Sequence, residues 1–508
     1  MNKILFVLLL SFTFNRMNAQ ILPREGAALC YRLIGFSFPA VAGTSNYRIE
    51  IASGYFTAEP DFKKEIFKRL KTVKNKIIGE VPAFGKQYTW RIVYNTGAKK
   101  ETYSPLYHFR TGILPEVDTN SYRLRIIKPA KTYKEAYVFV DGMRALYDMN
   151  GAPVWFLPDI DLLSTEDIHV RDMKLSPQGT ITMLTHKGVY EVSYSGEVLW
   201  KMPKNIRASP DSIEFFHHEF TRLSNGHYMG MGTEKLLSMR SVTGDSSFVL
   251  LPMDKPLPPN SRVRGATSFG TLVEYDKNNN VVWSWRSSDY FRKSDIYYRK
   301  TSMKMMDVHE NAFYFDEKNK VIYVGFKNLD RIIKVKYPEG TVTEVYGQIY
   351  DKSMVNSEAN TWSSLFCGQH SCRTASDGNL YVFNNNSCQH GGWPTVVVLQ
   401  KAKNSEGAKK IWEYECNVDY TAAGIAKSQA YAVGGNAYEL PDRSFLVTMG
   451  GATSNVFIVN RKKEILWSAI CEKWDNTLRR WNYTLNFHSS MITSRKELER
   501  LIWNSEKM

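Results

Sequence analysis

A repeated strand pattern occupies the chain from about residue 116 to its end. Each copy has a polar turn followed by an apolar strand that carries Trp or an aliphatic equivalent. The copies are "YDMNGAPVWF", "VSYSGEVLWK", "VEYDKNNNVVWSW", "VKYPEGTVTEVYG", "KKIWEYEC" and "VNRKKEILWSA". Because the apolar positions alternate and Asn-Gly, Ser-Gly and Glu-Gly turns separate them, the pattern favours antiparallel four-stranded blades over helices. Residues 116–508 are therefore predicted to form a six-bladed β-propeller.

The first residues have the composition of a secretory signal. Lys3 supplies the positive start, "ILFVLLLSF" the apolar core, and "MNA" a cleavage site after Ala19. No later apolar run approaches the roughly 18 residues that a membrane span needs. We expect residues 1–19 to be removed and the mature protein to be periplasmic, without membrane insertion.

Residues 20–115 precede the repeats and predict a small β-sandwich. The segments "NYRIEIAS" and "QYTWRIVYN" alternate with a period of two, which marks half-buried strands. The residues on the predicted inner faces are Tyr47, Ile49, Ile51, Tyr88, Trp90, Ile92 and Tyr94. This unit resembles a fibronectin type III domain, which is an interaction module, so we expect no chemistry in it.

All six cysteines lie in the exported part of the chain, where an oxidising compartment permits disulfides. Cys367 and Cys372 bracket His370 in "CGQHSC", and a disulfide between them would stiffen that loop. The alternatives are two buried thiols or pairing with other cysteines. A zinc site that uses these cysteines with His390 is disfavoured, because the paired C-x2-C spacing of such sites is missing.

The formal charge is +15, or +13 after the expected signal with Lys3 and Arg16 is removed. Such a charge attracts anionic partners. Lys and Arg are dispersed and no nucleic-acid-binding motif is visible, so we expect a small anionic substrate and no nucleic acid. A homodimer is compatible with the sequence, which does not decide the oligomeric state.

Three histidines share one position in successive repeats. In "HEFTRLSN", "HENAFYFD" and "HSCRTASD", His218, His309 and His370 each lie seven residues before a turn residue. Inner strands of propeller blades line a central channel, so equivalent positions face each other across it. The spacing selects His218 over His217, because neighbours on a strand point to opposite faces. His217 is then expected to pack against or orient its neighbour.

Two polar residues accompany the second histidine. Asn311 follows His309 by two residues, on the same strand face, and Lys327 ends "VIYVGFK". Three imidazoles alone could bind zinc through three ligands and an open position. A nearby lysine favours an anion instead, because positive groups around a nucleophilic imidazole would stabilise a transferring phosphoryl or sulfuryl group.

Four segments resemble the arylsulfotransferase family, the exported bacterial aryl-sulfate sulfotransferases. They are "FHHEFTRLSNGHYM", "DVHENAFYFDEKNKVIYVGFK", "GQHSCRTASDGNLYVFNNN" and "GGNAYELPDRSFLVTMGG". The resemblance implies a sandwich-like domain before a six-bladed propeller, and sulfuryl transfer between phenols without an adenylyl-sulfate cofactor or a metal. His370, on the "GQH" motif, would attack the sulfur and form a sulfohistidine.

The same resemblance assigns the other site residues. His218 and His309 would stabilise the sulfuryl oxygens and exchange a proton with the phenols, while Asn311 would bind an oxygen or orient a ring. Lys327 stands where the family has arginine, so it keeps the charge but loses the planar fork that grips two oxygens. Asn384 stands where the family commonly has Asp, which bears on how His370 is oriented.

We therefore expect an exported aryl-sulfate sulfotransferase whose substrates are a phenolic sulfate donor and a phenol acceptor. Two other interpretations stay open. One is a non-catalytic propeller that binds a sulfated or other anionic ligand, as the loss of arginine at Lys327 suggests. The other is a propeller hydrolase or lyase in which His370 acts as a base.

Overall fold

The computed structural model describes residues 20–504 with internal gaps. The described residues are 20–44, 46–95, 101–112, 121–160, 170–185, 188–202, 216–240, 248–252, 262–291, 306–347, 365–387, 392–400, 407–417, 434–450 and 454–504. The expected signal, residues 1–19, lies outside them. Among the described residues, no helix has the length and apolar character needed to cross a membrane. The chain divides into two compact units, residues 1–112 and 113–508.

The first unit contains two sheets and one short helix. Its strands are β1 Ala27–Leu29, β2 Leu33–Ser37, β3 Tyr47–Ser53, β4 Ile66–Thr72, β5 Lys76–Glu80, β6 Gln87–Tyr94, β7 Thr102–Tyr103 and β8 Tyr107–Thr111. The larger sheet has the order β1-β8-β6-β3-β4, with β7 also paired to β6, and the smaller sheet pairs β2 with β5. Helix α1 is Glu59–Lys64.

The predicted inner-face residues of this unit form its core. Ile49, Ile51 and Trp90 are fully buried and pack against Phe36 of the smaller sheet. The other face of β3 is also covered, because Glu50 is buried against Arg91 at 2.7 Å. The unit is thus all-β, and the fibronectin type III assignment stays a prediction.

The described part of the second unit forms six sheets. In chain order they are sheet 1 (β36-β10-β11-β12), sheet 2 (β13 to β16), sheet 3 (β17-β18-β20-β21, with β19 and β22), sheet 4 (β23 to β26), sheet 5 (β27 to β30) and sheet 6 (β31 to β35, with β9).

The strands of sheets 1 to 3 are β9 Tyr122–Lys128, which joins sheet 6, β10 Tyr137–Val140, β11 Ala145–Asp148, β12 Pro153–Phe156, β13 Val170–Leu175, β14 Ile181–Thr185, β15 Gly188–Val192, β16 Val198–Lys201, β17 Phe220–Arg222, β18 Tyr228–Arg240, β19 Phe248–Pro252, β20 Arg262–Tyr275, β21 Val281–Arg286 and β22 Met306–Asp307. Helix α2 is Ser287–Tyr290.

The remaining strands are β23 Glu310–Asp316, β24 Val321–Phe326, β25 Arg331–Lys336, β26 Val342–Gly347, β27 Ser371–Thr374, β28 Leu380–Asn384, β29 Thr395–Gln400, β30 Lys409–Glu415, β31 Asn436–Glu439, β32 Phe445–Met449, β33 Asn455–Val459, β34 Ile465–Asp475, β35 Arg480–Tyr483 and β36 Ser489–Ile492. Helix α3 is Arg495–Asn504.

The six sheets form a closed ring. Each sheet contacts the next through its inner strands, and sheet 6 contacts sheet 1 where β32 meets β36. Two strand pairings between the start and the end of this unit close the ring. Strand β9 pairs with β34 of sheet 6, and β36 pairs with β10 of sheet 1. The predicted all-β propeller class is confirmed, whereas the exact number of blades stays a prediction.

Four of the repeated tryptophans connect their sheet to a neighbouring sheet. The indole N–H of Trp155 donates to the carbonyl of Tyr194 in sheet 2, and that of Trp467 donates to Met149 in sheet 1. Trp285 and Trp412 make the same kind of bond to Gly340 and Arg461 of the following sheets. A buried indole needs a partner for its N–H, so the repeat places Trp where the next sheet offers a turn carbonyl.

The inner strands β36, β13, β17, β23, β27 and β31 surround the channel and run in the same direction along it. Their first residues define one end, which we call the histidine end because His218, His309 and His370 lie there. Their last residues define the far end. A cavity of about 760 Å³ at the far end is lined by residues such as Lys174, Arg222, Arg373 and Tyr438.

Candidate active site

Three histidines converge at the histidine end of the channel. His309 and His370 directly precede β23 and β27, and His218 precedes β17 by two residues. The ring centroids of His218 and His309 are 5.5 Å apart, and those of His218 and His370 are 6.0 Å apart. One ring nitrogen of each histidine lies within 4.8 Å of the others. The spacing of seven residues thus brings the three imidazoles together.

Two of these histidines have an unusual backbone conformation. His218 has φ of 60° and His309 has φ of 50°, which is the left-handed region that non-glycine residues rarely adopt. Such a conformation costs on the order of 1–3 kcal/mol and is found mainly at functional sites. It also breaks the alternation of side chains, so the direction of each imidazole does not follow from strand periodicity.

His370 is the most enclosed of the three, with 1% of its surface exposed. Its Nδ1 lies 2.6 Å from Oδ1 of Asn385, whose Nδ2 donates to the carbonyl of Gly434 at 2.9 Å. Because that second bond fixes the amide orientation, Oδ1 must accept and Nδ1 of His370 must carry the proton. Nε2 is therefore unprotonated, and the backbone N–H of Gly434 lies 3.3 Å from it.

The site keeps at least two of its imidazoles neutral. Burial lowers the pKa of His370 well below its ordinary value, and the positive charge of Lys327 lowers it further. Burial also lowers the pKa of His218, with a further contribution from His217. A neutral imidazole has the lone pair that nucleophilic attack requires.

His217 lies beside His218, as an orienting neighbour would. Nδ1 of His217 is 2.7 Å from Nδ1 of His218, and Nε2 of His217 bonds to the hydroxyl of Thr233 on β18. One of the two Nδ1 atoms donates and the other accepts. This chain therefore couples the tautomer of His218 to that of His217.

Lys327 begins a short 3-10 turn, Lys327–Leu329, directly after β24. Its backbone N–H donates to the carbonyl of His309 at 2.9 Å. This bond holds the backbone of Lys327 next to His309. From this position the charge of Lys327 lowers the pKa of His370.

The two predicted asparagines, Asn311 and Asn384, both make hydrogen bonds to the backbone near the site. Asn311 is fully buried, and its Nδ2 donates to the carbonyl of Gln369 at 2.6 Å. It therefore holds the backbone next to His370. Asn384 accepts from the backbone N–H groups of Cys367 and Asn386, so Asn385 and not Asn384 contacts the nucleophile ring.

The predicted Cys367–Cys372 disulfide is wrong. Cys372 is a free, buried thiol on β27, and burial raises its pKa. Cys367 is itself disulfide-bonded, so its partner is a different cysteine. His390, considered for a cysteine–zinc site, lies outside the described residues.

Arg171 on β13 is a site residue that the motifs did not reveal. Its charge acts on His218, whose pKa it lowers. The positions of the turn glycines indicate this residue. Arg171, His218 and His370 each lie eight residues before a glycine with positive φ. Those glycines are Gly179, Gly226 and Gly378. Counting from the glycine would have placed Arg171 in register with the histidines.

The three-histidine cluster also has the composition of a zinc site. Its ring nitrogens are close enough to converge on one ion. Lys327 and Arg171 both place positive charge at these rings, which opposes a cation and favours an anion.

Comparison with known proteins supports a sulfotransferase. Residues 262–428, about a third of the chain, match the family model described as Arylsulfotransferase (ASST). This segment contains His309, Lys327 and His370 but not His218. No curated protein matches the chain significantly.

Several solved structures resemble this protein in backbone arrangement but share little sequence with it. A protein of unknown function from Bacteroides caccae is 10% identical, with 71% of this chain and 98% of that chain covered and a TM-score of 0.40. An auxiliary nutrient binding protein from Bacteroides ovatus is 9% identical, with 92% and 89% covered and a TM-score of 0.31.

The periplasmic gluconolactonase of Pseudomonas aeruginosa is 11% identical, with 64% of this chain and 98% of that chain covered and a TM-score of 0.29. None of these similarities informs the chemistry. The match over residues 262–428 confirms the relationship to the arylsulfotransferase family that the motifs around the three histidines indicate.

Proposed function

We propose that the protein is an exported aryl-sulfate sulfotransferase that uses His370 as its nucleophile. The arrangement around that ring is the observation that carries the proposal. Asn385 holds the proton on Nδ1, which leaves the lone pair on Nε2, and ring nitrogens of His370, His218 and His309 lie within 4.8 Å of one another. A buried, neutral and oriented imidazole is suited to covalent catalysis.

In the first half-reaction, Nε2 of His370 attacks the sulfur of an aryl sulfate. The N–S bond forms while the bond from sulfur to the phenolic oxygen breaks, and the electron pair leaves with the phenolate. Lys327, His218 and His309 surround the sulfuryl oxygens. The positive charge of Lys327 and the N–H groups of the imidazoles stabilise the charge that develops in the transition state.

Asparagine at position 385 has a consequence for the intermediate. An amide oxygen accepts the Nδ1 hydrogen bond but does not take the proton, so the sulfated ring keeps its positive charge. An imidazolium is a better leaving group than a neutral imidazole. We infer that Asn385 keeps the sulfohistidine reactive toward the second phenol.

In the second half-reaction, the oxygen of the acceptor phenol attacks the sulfur and the N–S bond breaks. The electron pair returns to Nε2 of His370. The phenolic proton passes to Nε2 of His218, whose Nδ1 proton is shared with His217 across the 2.7 Å contact. The His217–His218 pair holds this proton until the next turnover, when it passes the proton to the leaving phenolate.

This mechanism uses no organic cofactor or metal. Its substrates are a small phenolic sulfate as donor and a phenol as acceptor. The charge of +15 favours anionic donors. With the expected signal at residues 1–19, we place the activity in the periplasm.

The test is turnover of 4-nitrophenyl sulfate with and without added phenol. The wild-type protein should release nitrophenolate in a phenol-dependent manner, and His370→Asn should not. His227→Asn is a matched control, because His227 bonds to Glu274 on sheet 3, away from the three-histidine cluster. Equal release by wild type and His370→Asn would overturn the assignment of the nucleophile.

Mass spectrometry separates the rival functions. A sulfotransferase without acceptor should gain about 80 mass units on His370, since covalent catalysis leaves an isolable adduct. A binding protein gains none and releases no phenol. A hydrolase or lyase with His370 as base releases product without phenol and without the adduct.

A further inference from the structure

Arg171 occupies the position in sheet 2 that the histidines occupy in sheets 3 and 5. It is the second residue of β13 and pairs with Leu184 of β14. Like His218 and His370, it precedes by eight residues a turn glycine with positive φ. Since Arg171 lies near the start of β13, and its guanidinium contacts Phe487 two residues before the start of β36, it lies at the histidine end of the channel.

A series of contacts leads from Arg171 to the nucleophile. The guanidinium carbon lies 4.2 Å from the ring centroid of Phe487. The Phe487 ring packs so closely on Gly434 that a Cβ at that glycine would lie 2.8 Å from it. Gly434 in turn presents its N–H to Nε2 of His370 at 3.3 Å. Arg171 and Nε2 of His370 are thus separated by one aromatic ring and one glycine.

Among the residues that the structure describes, no contact neutralises the charge of Arg171. Within the described ranges, its guanidinium makes a stacking contact with Phe487 but no hydrogen bond and no ion pair. Asp141 acts on it only at longer range, and burial lowers the pKa of Arg171. A partly buried guanidinium without a carboxylate partner is costly to maintain unless a ligand supplies the negative charge.

We propose that Arg171, held flat against Phe487, binds the sulfuryl oxygens of the anionic donor and supplies the planar fork that Lys327 lacks. A guanidinium on an aromatic face has a fixed plane and two parallel N–H groups to offer. The identity of the anion, a sulfate ester, rests on the proposed function. The presence of the anion-binding group rests on Arg171 and its surroundings.

Isothermal titration calorimetry with 4-nitrophenyl sulfate tests this assignment, using His370→Asn as the background so that no turnover occurs. Arg171→Met should weaken binding by about 10- to 100-fold, as loss of hydrogen bonds to a charged group does. Arg171→Lys should fall between the two. Lys201→Met is the matched control, because Lys201 lies over Tyr190 on the outer strand of the same sheet and should leave binding unchanged. Equal affinity of the Arg171→Met variant and its parent overturns the proposal.

A second variant tests the relation to Lys327. If Arg171 supplies the fork, Lys327→Arg should change kcat/KM little in the wild type and should raise it about tenfold in the Arg171→Met background. Equal effects in both backgrounds would mean that the positions act independently, which contradicts the proposal. Lack of phenol-dependent release by the wild type would overturn the proposed function, whereas the calorimetric comparison would still decide the role of Arg171.

Discussion

The two ends of the channel use the same six inner strands in opposite ways. Around the far-end cavity, lining cations meet acids directly: Lys174 lies 2.6 Å from Asp172, and Arg373 lies 2.9 Å from Glu219. At the histidine end, Arg171 has no such partner among the described residues. These two cations that line the cavity are paired with acids, whereas Arg171 is not paired within the described part of the chain.

Two arginines show the difference most clearly. Burial alone would lower the pKa of Arg373, but Tyr438 and Glu219 raise it overall. Arg171 has a lowered pKa, because burial outweighs the distant charge of Asp141. The fold stabilises the charged form of Arg373. In our proposal, the guanidinium of Arg171 binds an anion. The far end therefore contributes stability, while the histidine end gives up stability for binding and chemistry.

Breaking the far end should have the largest effect. Glu219→Gln leaves Arg373 charged and without its carboxylate, and such a loss costs about 3–5 kcal/mol. The free energy of unfolding, followed by urea titration, should fall by that amount.

Arg171→Met is the comparison variant for stability. It removes a charge that no contact within the described ranges offsets, so it should change the free energy of unfolding by less than about 1 kcal/mol. If both variants destabilise the protein equally, the distinction between the two ends is wrong.

Asn385→Ala should have the next largest effect, and on activity. It leaves the Nδ1 proton of buried His370 without an acceptor, which costs about 1–3 kcal/mol and should lower kcat about 10- to 100-fold. Asn384→Ala is the matched control. Asn384 holds the backbone of Cys367 but does not contact His370, so kcat should fall less. The reverse order would restore Asn384 as the orienting residue.

The propeller class and the three-histidine cluster were predictable from the sequence, and the features that were missed have physical causes. The turn glycines and alternating strands predicted the propeller, and a spacing of seven residues brought His218, His309 and His370 together. Asn385 was missed because β28 ends at Asn384, so the next residue leaves the strand and no longer follows its alternation.

The pairing of charges was beyond the sequence for another reason. Glu219 and Arg373 are 154 positions apart in the chain, and nothing local marks them as partners. Arg171 was missed because sheet 2 has arginine where sheets 3 and 5 have histidine, so the repeated residue type does not reveal the position. Counting to the turn glycine would have identified its position, though not its lack of a carboxylate partner.

The pH dependence of sulfuryl transfer tests whether the uncharged side chain of Asn385 keeps His370 neutral. Burial and Lys327 lower the pKa of His370, so the neutral nucleophile should persist well below the ordinary histidine pKa, and activity should fall only at acidic pH. Asn385→Asp places a carboxylate at Nδ1, which favours the protonated ring. The acidic limb of the kcat/KM profile should then move up by about one pH unit or more. An unmoved limb would mean that another group controls it.

His217→Asn should have the smallest effect, and one that depends on the phenol. Asparagine can still bond to Nδ1 of His218 but cannot accept its proton, so the pair no longer stores one. Transfer to phenols of high pKa should slow by about tenfold, the low end of acid–base effects, whereas transfer to phenols that are already ionised should be nearly unchanged. Rates measured with a series of substituted phenols give this slope, and Thr233→Ser, which keeps the hydroxyl that bonds to His217, should leave it unaltered. A uniform loss across the series would reduce His217 to a packing residue, because a purely structural change slows every acceptor alike.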